Sequence, residues 1–128
     1  MNTILWFSII SGFIALIYGY ITAKSVLAAS PGNAKMQEIS AAIQEGASAY
    51  LKRQYYTISI VGLVIFIIVS LTLGFYVSFS FAVGAILSGA AGFIGMNISV
   101  RANVRTAEAA RKGANAGLNI AFKAGAVT

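Results

Sequence analysis

From Gln54 to Val100 the chain runs for 47 residues without a Lys, Arg, Asp or Glu, and most of them are Ile, Val, Leu, Phe, Ala or Gly. At ~1.5 Å rise per residue this is roughly 70 Å of helix, about twice the ~30 Å hydrocarbon core of a bilayer, so it reads as two membrane spans joined by a short turn. A second uncharged run, Met1 to Ala23, is long enough to cross once more. The expected fold class is all-α: a polytopic membrane protein with three transmembrane helices and the start of a fourth. Of the 128 residues 59% are hydrophobic and 9% charged, against ~25% charged in a soluble domain. No core of a soluble chain this short could absorb that apolar surface.

The charges say where the water is. Lys24, Lys35, Lys52 and Arg53 lie between the first and second spans, and Arg101, Arg105, Arg111, Lys112 and Lys123 follow the third. The connection between spans 2 and 3 carries none. By the positive-inside rule the first connection and the tail face the cytoplasm, and the N-terminus and the turn near Tyr76 to Ser80 lie outside. A net charge of +6 placed beside apolar runs marks a membrane surface rather than a nucleic-acid partner. A cleaved signal peptide fits poorly, because Lys24 follows the first apolar run where a signal carries its charge ahead. A bacterial cell (inner) membrane is the simplest location. The expected organisation is one membrane unit over 1–128, with spans at about 1–23, 55–77 and 79–100, a cytoplasmic amphipathic helix at about 33–54 and a cytoplasmic tail at 101–128.

Within the first connection, Ser30-Pro31-Gly32-Asn33 signals a turn. Met36, Ile39, Ile43, Ala47, Tyr50 and Gln54 then recur at helical spacing, which predicts an amphipathic helix running directly into span 2. Span 3 is rich in small residues: Gly84, Ser88 and Gly92 form one row, Ala91, Gly95 and Ser99 a second, with Gly89 between. Lipid offers no hydrophobic drive to pair helices, so close approach across small residues is a main source of attraction. Two such faces exceed what three spans can cover, which points to helices beyond this chain. From Gly117 onward, Leu118, Ile120, Phe122 and Val127 read as the opening of a fourth span, and a chain stopping at Thr128 is expected to be a fragment.

The chemistry available is narrow. The chain has no Cys, His or Asp, and its acids are Glu38, Glu45 and Glu108. Metal hydrolysis and proton relays need clustered carboxylates, His, or Lys facing a polar cavity. A rotary-ATPase ring subunit would need a carboxylate in mid-helix, and none lies between Gln54 and Val100. Lys52 with Arg53, or Arg101 with Arg105, could hold phosphate, although interfacial anchoring explains the same residues. No Walker-type loop is present. No catalytic, cofactor-binding or metal-binding residue is expected in this segment.

Two blocks carry a family resemblance. Ile39 to Tyr55 (ISAAIQEGASAYLKRQY) resembles the helix entering the second span of the membrane-bound, ion-translocating inorganic pyrophosphatases. Ser88 to Ala107 (SGAAGFIGMNISVRANVRTA) resembles their third span and its cytoplasmic extension. Gly113 to Thr128 is similar to the approach to their fourth span, so the resemblance runs from about Met36 to the end, with span 1 alike only in length and character. It implies a much longer homodimeric pump that hydrolyses pyrophosphate with Mg²⁺ and moves H⁺ or Na⁺, with a K⁺ requirement left open. The implied partners are the lipid bilayer, the remaining helices, a second copy and pyrophosphate. The family's Asp-rich and Lys motifs match no position here, so this segment is expected to be an inactive peripheral scaffold. The alternative is a small non-enzymatic membrane protein that assembles through the Gly/Ser/Ala faces of span 3.

Overall fold

The computed structural model describes residues 2–128, which form four helices: α1 (Asn2–Leu27), α2 (Ala34–Leu73), α3 (Phe75–Ala110) and α4 (Ala114–Val127). Met1, the first residue of the expected span 1, lies outside the described residues. Segments Thr3–Leu27, Ala34–Leu73 and Phe75–Ala110 are long and apolar enough to cross a membrane, and no strand occurs among the described residues. The chain is an all-α, multi-pass membrane protein.

A single residue, Gly74, separates α2 from α3. It serves as the C-cap of one helix and the N-cap of the other, at φ 88° and ψ 166°, a conformation that a Cβ would strain. The turn expected at Tyr76 to Ser80 therefore falls earlier, and those residues form the first turns of α3. The reason is local: Phe75 to Phe79 contains no helix breaker, whereas Gly74 supplies the positive φ that reverses the chain. Ser78 is fully buried behind this turn and donates its hydroxyl to the Phe75 carbonyl at 2.9 Å. Other hydroxyls within the spans do likewise: Ser59 donates to Tyr55 O at 2.7 Å and Thr72 to Ile68 O at 2.8 Å, which spares the hydrocarbon an unpaired polar group.

The expected amphipathic helix and span 2 are one uninterrupted helix of 40 residues, about 60 Å long at 1.5 Å per residue. Its start is capped by Asn33, whose Oδ1 accepts from the Met36 amide at 2.9 Å, satisfying one of the free donors of the first turn. Gln37 donates from Nε2 to the Gly32 carbonyl at 2.9 Å. Gly32 takes φ 81°, so Pro31-Gly32-Asn33 forms the tight turn into α2 that the sequence signals.

Helix α3 is the centre of the bundle. It packs antiparallel to α2 on one side and to α4 on another, and α1 rests on α3 and α4 rather than on α2. The buried apolar centre is small: Val26 of α1, Ala102 of α3 and Ala124 of α4, with Ile120 against them. Small side chains permit this approach. A Cβ on Gly117 would sit 2.9 Å from Ala110 Cβ, so the α3–α4 turn requires glycine there. Most large apolar side chains point outward, including Phe13, Leu71 and Phe122. A patch of that extent demands lipid or further helices against it.

Candidate functional site

The basic residues collect at the end of the bundle where α1 stops, α2 begins, α3 stops and α4 begins. Arg105 holds this end together. Its Nε donates to the Leu27 and Ala29 carbonyls, both at 3.1 Å, and its Nη1 to the Arg101 carbonyl at 2.7 Å. Leu27 is the last residue of α1 and Ala29 lies just past it; carbonyls at a helix end lack partners within the helix and the dipole leaves them partially negative, so a guanidinium there meets both needs. One turn further along α3, Glu108 pairs with Arg111 at 3.1 Å. Arg111 also lies 3.9 Å from Met36 Sδ, bringing the start of α2 against the end of α3.

Deeper in the bundle Tyr55 of α2 reaches across to α3. Its hydroxyl donates to the Gly89 carbonyl at 2.6 Å, and its ring meets Phe93 edge-on at 6.0 Å between centroids. A Cβ on Gly92 would lie 3.1 Å from the same hydroxyl. The two small-residue rows thus face different partners: Gly92 of the first row, with Gly89 beside it, meets Tyr55 of α2, while a Cβ on Gly95 of the second would lie 3.1 Å from Thr128 at the end of α4. Gly84 differs from the expectation: a Cβ there would meet nothing within 4 Å.

Between Tyr55 and the basic end, α2 and α3 part to form a recess of about 180 Å³ lined by Gln44, Ser48, Lys52, Asn97 and Arg101 above an apolar floor. Arg101 donates from Nη1 to Asn97 Oδ1 at 2.9 Å. Of the four basic residues singled out for phosphate, Lys52 and Arg101 share this recess, Arg105 is engaged with carbonyls, and Arg53 lines neither. The pairings Lys52 with Arg53 and Arg101 with Arg105 are thus not the ones the fold brings together. Lys52 and Arg53, adjacent in sequence, diverge around α2, and Arg105, one turn from Arg101, spends its guanidinium on carbonyls, whereas antiparallel packing aligns Lys52 with Arg101.

The carboxylates are dispersed. Glu38 pairs with Lys35 at 2.9 Å on an exposed surface and Glu108 with Arg111. Among the described residues no three His, Cys, Asp or Glu side chains gather where a metal ion could sit. The roles of Arg105 as a helix cap and of Tyr55 as a cross-span donor were missed in the sequence, where Arg105 reads as an interfacial anchor or a phosphate ligand. The signal for Tyr55 was Gly89, a small residue lying outside both regular rows.

Residues 13–128 match the family model described as inorganic H⁺ pyrophosphatase. The match begins within α1, earlier than the expected start near Met36, so span 1 carries family signal beyond its length and character. Among similar curated proteins, a K⁺-insensitive pyrophosphate-energized proton pump of Methanosarcina mazei is 48% identical over 130 aligned residues, covering 100% of this chain and 19% of the pump. A Clostridium tetani protein with the provisional name of K⁺-stimulated pyrophosphate-energized sodium pump is 40% identical over 127 residues, with 99% and 19% covered. A K⁺-insensitive pyrophosphate-energized proton pump of Caldanaerobacter subterraneus is 39% identical over 140, with 91% and 20% covered. The chain spans about a fifth of the length of these relatives.

Proposed function

This chain belongs to the inorganic H⁺ pyrophosphatase family, and from that membership we propose that the complete protein couples pyrophosphate hydrolysis to the transport of H⁺, or of Na⁺, across a membrane. The observation that carries the reading is the match of residues 13–128 to the family model, joined to relatives named as pyrophosphate-energized pumps. The 48% identity to a proton pump favours H⁺. Residues 1–128 serve as scaffold: they supply the bracing hairpin of α2 and α3, orient the chain and expose apolar faces to the remaining helices. Substrate binding and hydrolysis belong to other segments of the complete protein, which works as a homodimer.

The family's Mg²⁺ does not fit the residues present here. Magnesium demands near-octahedral oxygen coordination, and the three glutamates are apart, two of them already ion-paired. The ion, and any K⁺ requirement, belong to other segments. Reconstitution in liposomes is the direct test. The complete protein with Mg²⁺ and pyrophosphate should release phosphate and, without Na⁺, acidify the lumen, whereas residues 1–128 should do neither. Phosphate release by the isolated segment would overturn the scaffold role.

On the same reading the N-terminus and Gly74 lie outside a cell membrane and the basic end in the cytoplasm, because all nine basic residues lie toward that end or its flanks. In a chain without native Cys, thiols test this cleanly. Tyr76→Cys is the outside site, since Tyr76 is 90% exposed while Ser78 is buried. An impermeant reagent should label it in intact cells and leave Asn33→Cys and Asn115→Cys unlabelled. Labelling of Asn33→Cys from outside would reverse the orientation.

A further inference from the structure

The recess at the basic end does not stop at Phe93. That side chain also lines a second, larger hollow of about 580 Å³ between α2 and α3, walled by residues such as Ile58, Leu63, Phe66, Ala82, Ile86 and Ala90. The α3 positions Arg101, Asn97, Phe93, Ala90, Ile86 and Ala82 follow at spacings of three and four, so they form one ridge along a single flank. The two hollows share Phe93, beside which Tyr55 crosses to Gly89, so they are consecutive stretches of one groove that narrows at the Tyr55–Phe93 contact. Its upper part carries Lys52, Arg101, Gln44, Ser48 and Asn97, and its lower part is almost wholly hydrocarbon.

We propose that this groove is a binding site for one anionic phospholipid, with the headgroup phosphate between Lys52 and Arg101 and an acyl chain lying along the α2–α3 seam past Phe93. Three observations converge on this occupant. The cations come from different helices, and among the described residues neither pairs with a carboxylate, so the recess is electrostatically complementary to an anion. Its place is the headgroup level, since Lys52 and Arg101 flank the uncharged run from Gln54 to Val100. The depth also fits: half of the ~30 Å hydrocarbon core is about 15 Å, or roughly ten residues of helix, so an acyl chain starting at the Arg101 level passes Phe93 and ends near Ala90, inside the second hollow. Free phosphate would use the recess and leave the groove unexplained. An apolar helix would use the groove and leave two cations unpaired.

The site needs no reaction and stands independently of which ion the complete protein pumps. Each Lys or Arg near an anionic lipid contributes about a fivefold preference, so removing both should weaken binding roughly 30-fold. The test is native mass spectrometry of the complete protein, titrated with phosphatidylglycerol or phosphatidylcholine of matched acyl chains. The wild type should retain one phosphatidylglycerol at concentrations where phosphatidylcholine leaves no adduct. Lys52→Gln combined with Arg101→Gln should lose that adduct, as should Ala90→Phe, which fills the groove and leaves both cations in place. Lys35→Gln, on an exposed part of α2 away from the recess, should keep it. Equal retention of the two lipids, an adduct that survives the double substitution, or displacement of the lipid by inorganic phosphate would overturn the proposal. The wild type alone provides a second measurement that does not depend on variants folding. Phosphatidylglycerol with a photoactivatable acyl chain should label residues 86–93, and labelling confined to other helices would show the groove to be filled by protein.

Discussion

Replacing Arg105 by Leu should loosen the connection between α1 and α2 while leaving α3 helical. The guanidinium Nε shares one N–H between the Leu27 and Ala29 carbonyls at 3.1 Å each, so it counts as about one charge-assisted bond. Hydrogen bonds to charged groups contribute ~1.5–3 kcal/mol, and the lower end applies to a group that is only half-buried. The cation at the end of the α1 dipole adds ~0.5 kcal/mol. Together these give about 2 kcal/mol, or roughly a 30-fold rise in the population with residues 28–33 detached from α3. The bond from Nη1 to Arg101 lies within α3 and does not enter this sum. The assay is limited proteolysis of the complete protein in detergent with a nonspecific protease, following cleavage within 28–33. When opening and closing outpace cleavage, the rate follows the open population. Arg105→Leu should therefore cut roughly 30 times faster than wild type, and Arg105→Lys should fall between. Arg101→Leu, whose side chain bonds only within α3, should match wild type. Cleavage of Arg105→Leu within about twofold of wild type would refute the capping role.

Three further outcomes follow from the packing of α3. Tyr55→Phe removes the 2.6 Å bond to Gly89 and should lower the thermal stability of the complete protein by an amount equivalent to about 0.6 kcal/mol, the usual size of a hydrogen bond between membrane helices; an unchanged melting temperature would count against it. Gly92→Leu drives a side chain into Tyr55 and should cut the yield of assembled protein in size-exclusion chromatography, whereas Val83→Leu, at a position 41% exposed, should not. Gly117→Val meets Ala110 at the tight α3–α4 turn and should reduce the same yield, whereas Gly125→Val, with nothing within 4 Å, should leave it near wild type.

The long-range plan of the chain was legible because bilayer thickness and helix rise allow few arrangements of uncharged runs. Three spans and a helix running unbroken from the first connection into span 2 follow from length, charge and periodicity. The reversal at Gly74 was not, since Tyr76 to Ser80 has the aromatic and hydroxyl residues of an interface and the decisive glycine sits within apolar neighbours. Cross-helix partners were also hidden. Lys52 and Arg101 are 49 positions apart, and only the antiparallel register of α2 and α3 puts them on one recess. Arg105 could be read as cationic, but its partners are backbone carbonyls, those of Leu27 and Ala29 among them, which leave no trace in side-chain identity.

The unbroken passage of α2 through the membrane boundary has a mechanical consequence. About 20 of its residues, Ala34 to Arg53, stand beyond the uncharged segment as one rigid rod with the membrane-embedded half, roughly 30 Å long at the helical rise. A rod of that length is a lever arm: rocking the embedded half by about 5° carries the Asn33 end sideways by about 3 Å. The α3 extension and the Arg105 tie make α1 travel with it. Small tilts in the lipid phase are thereby displayed, enlarged, at the watery end of the bundle.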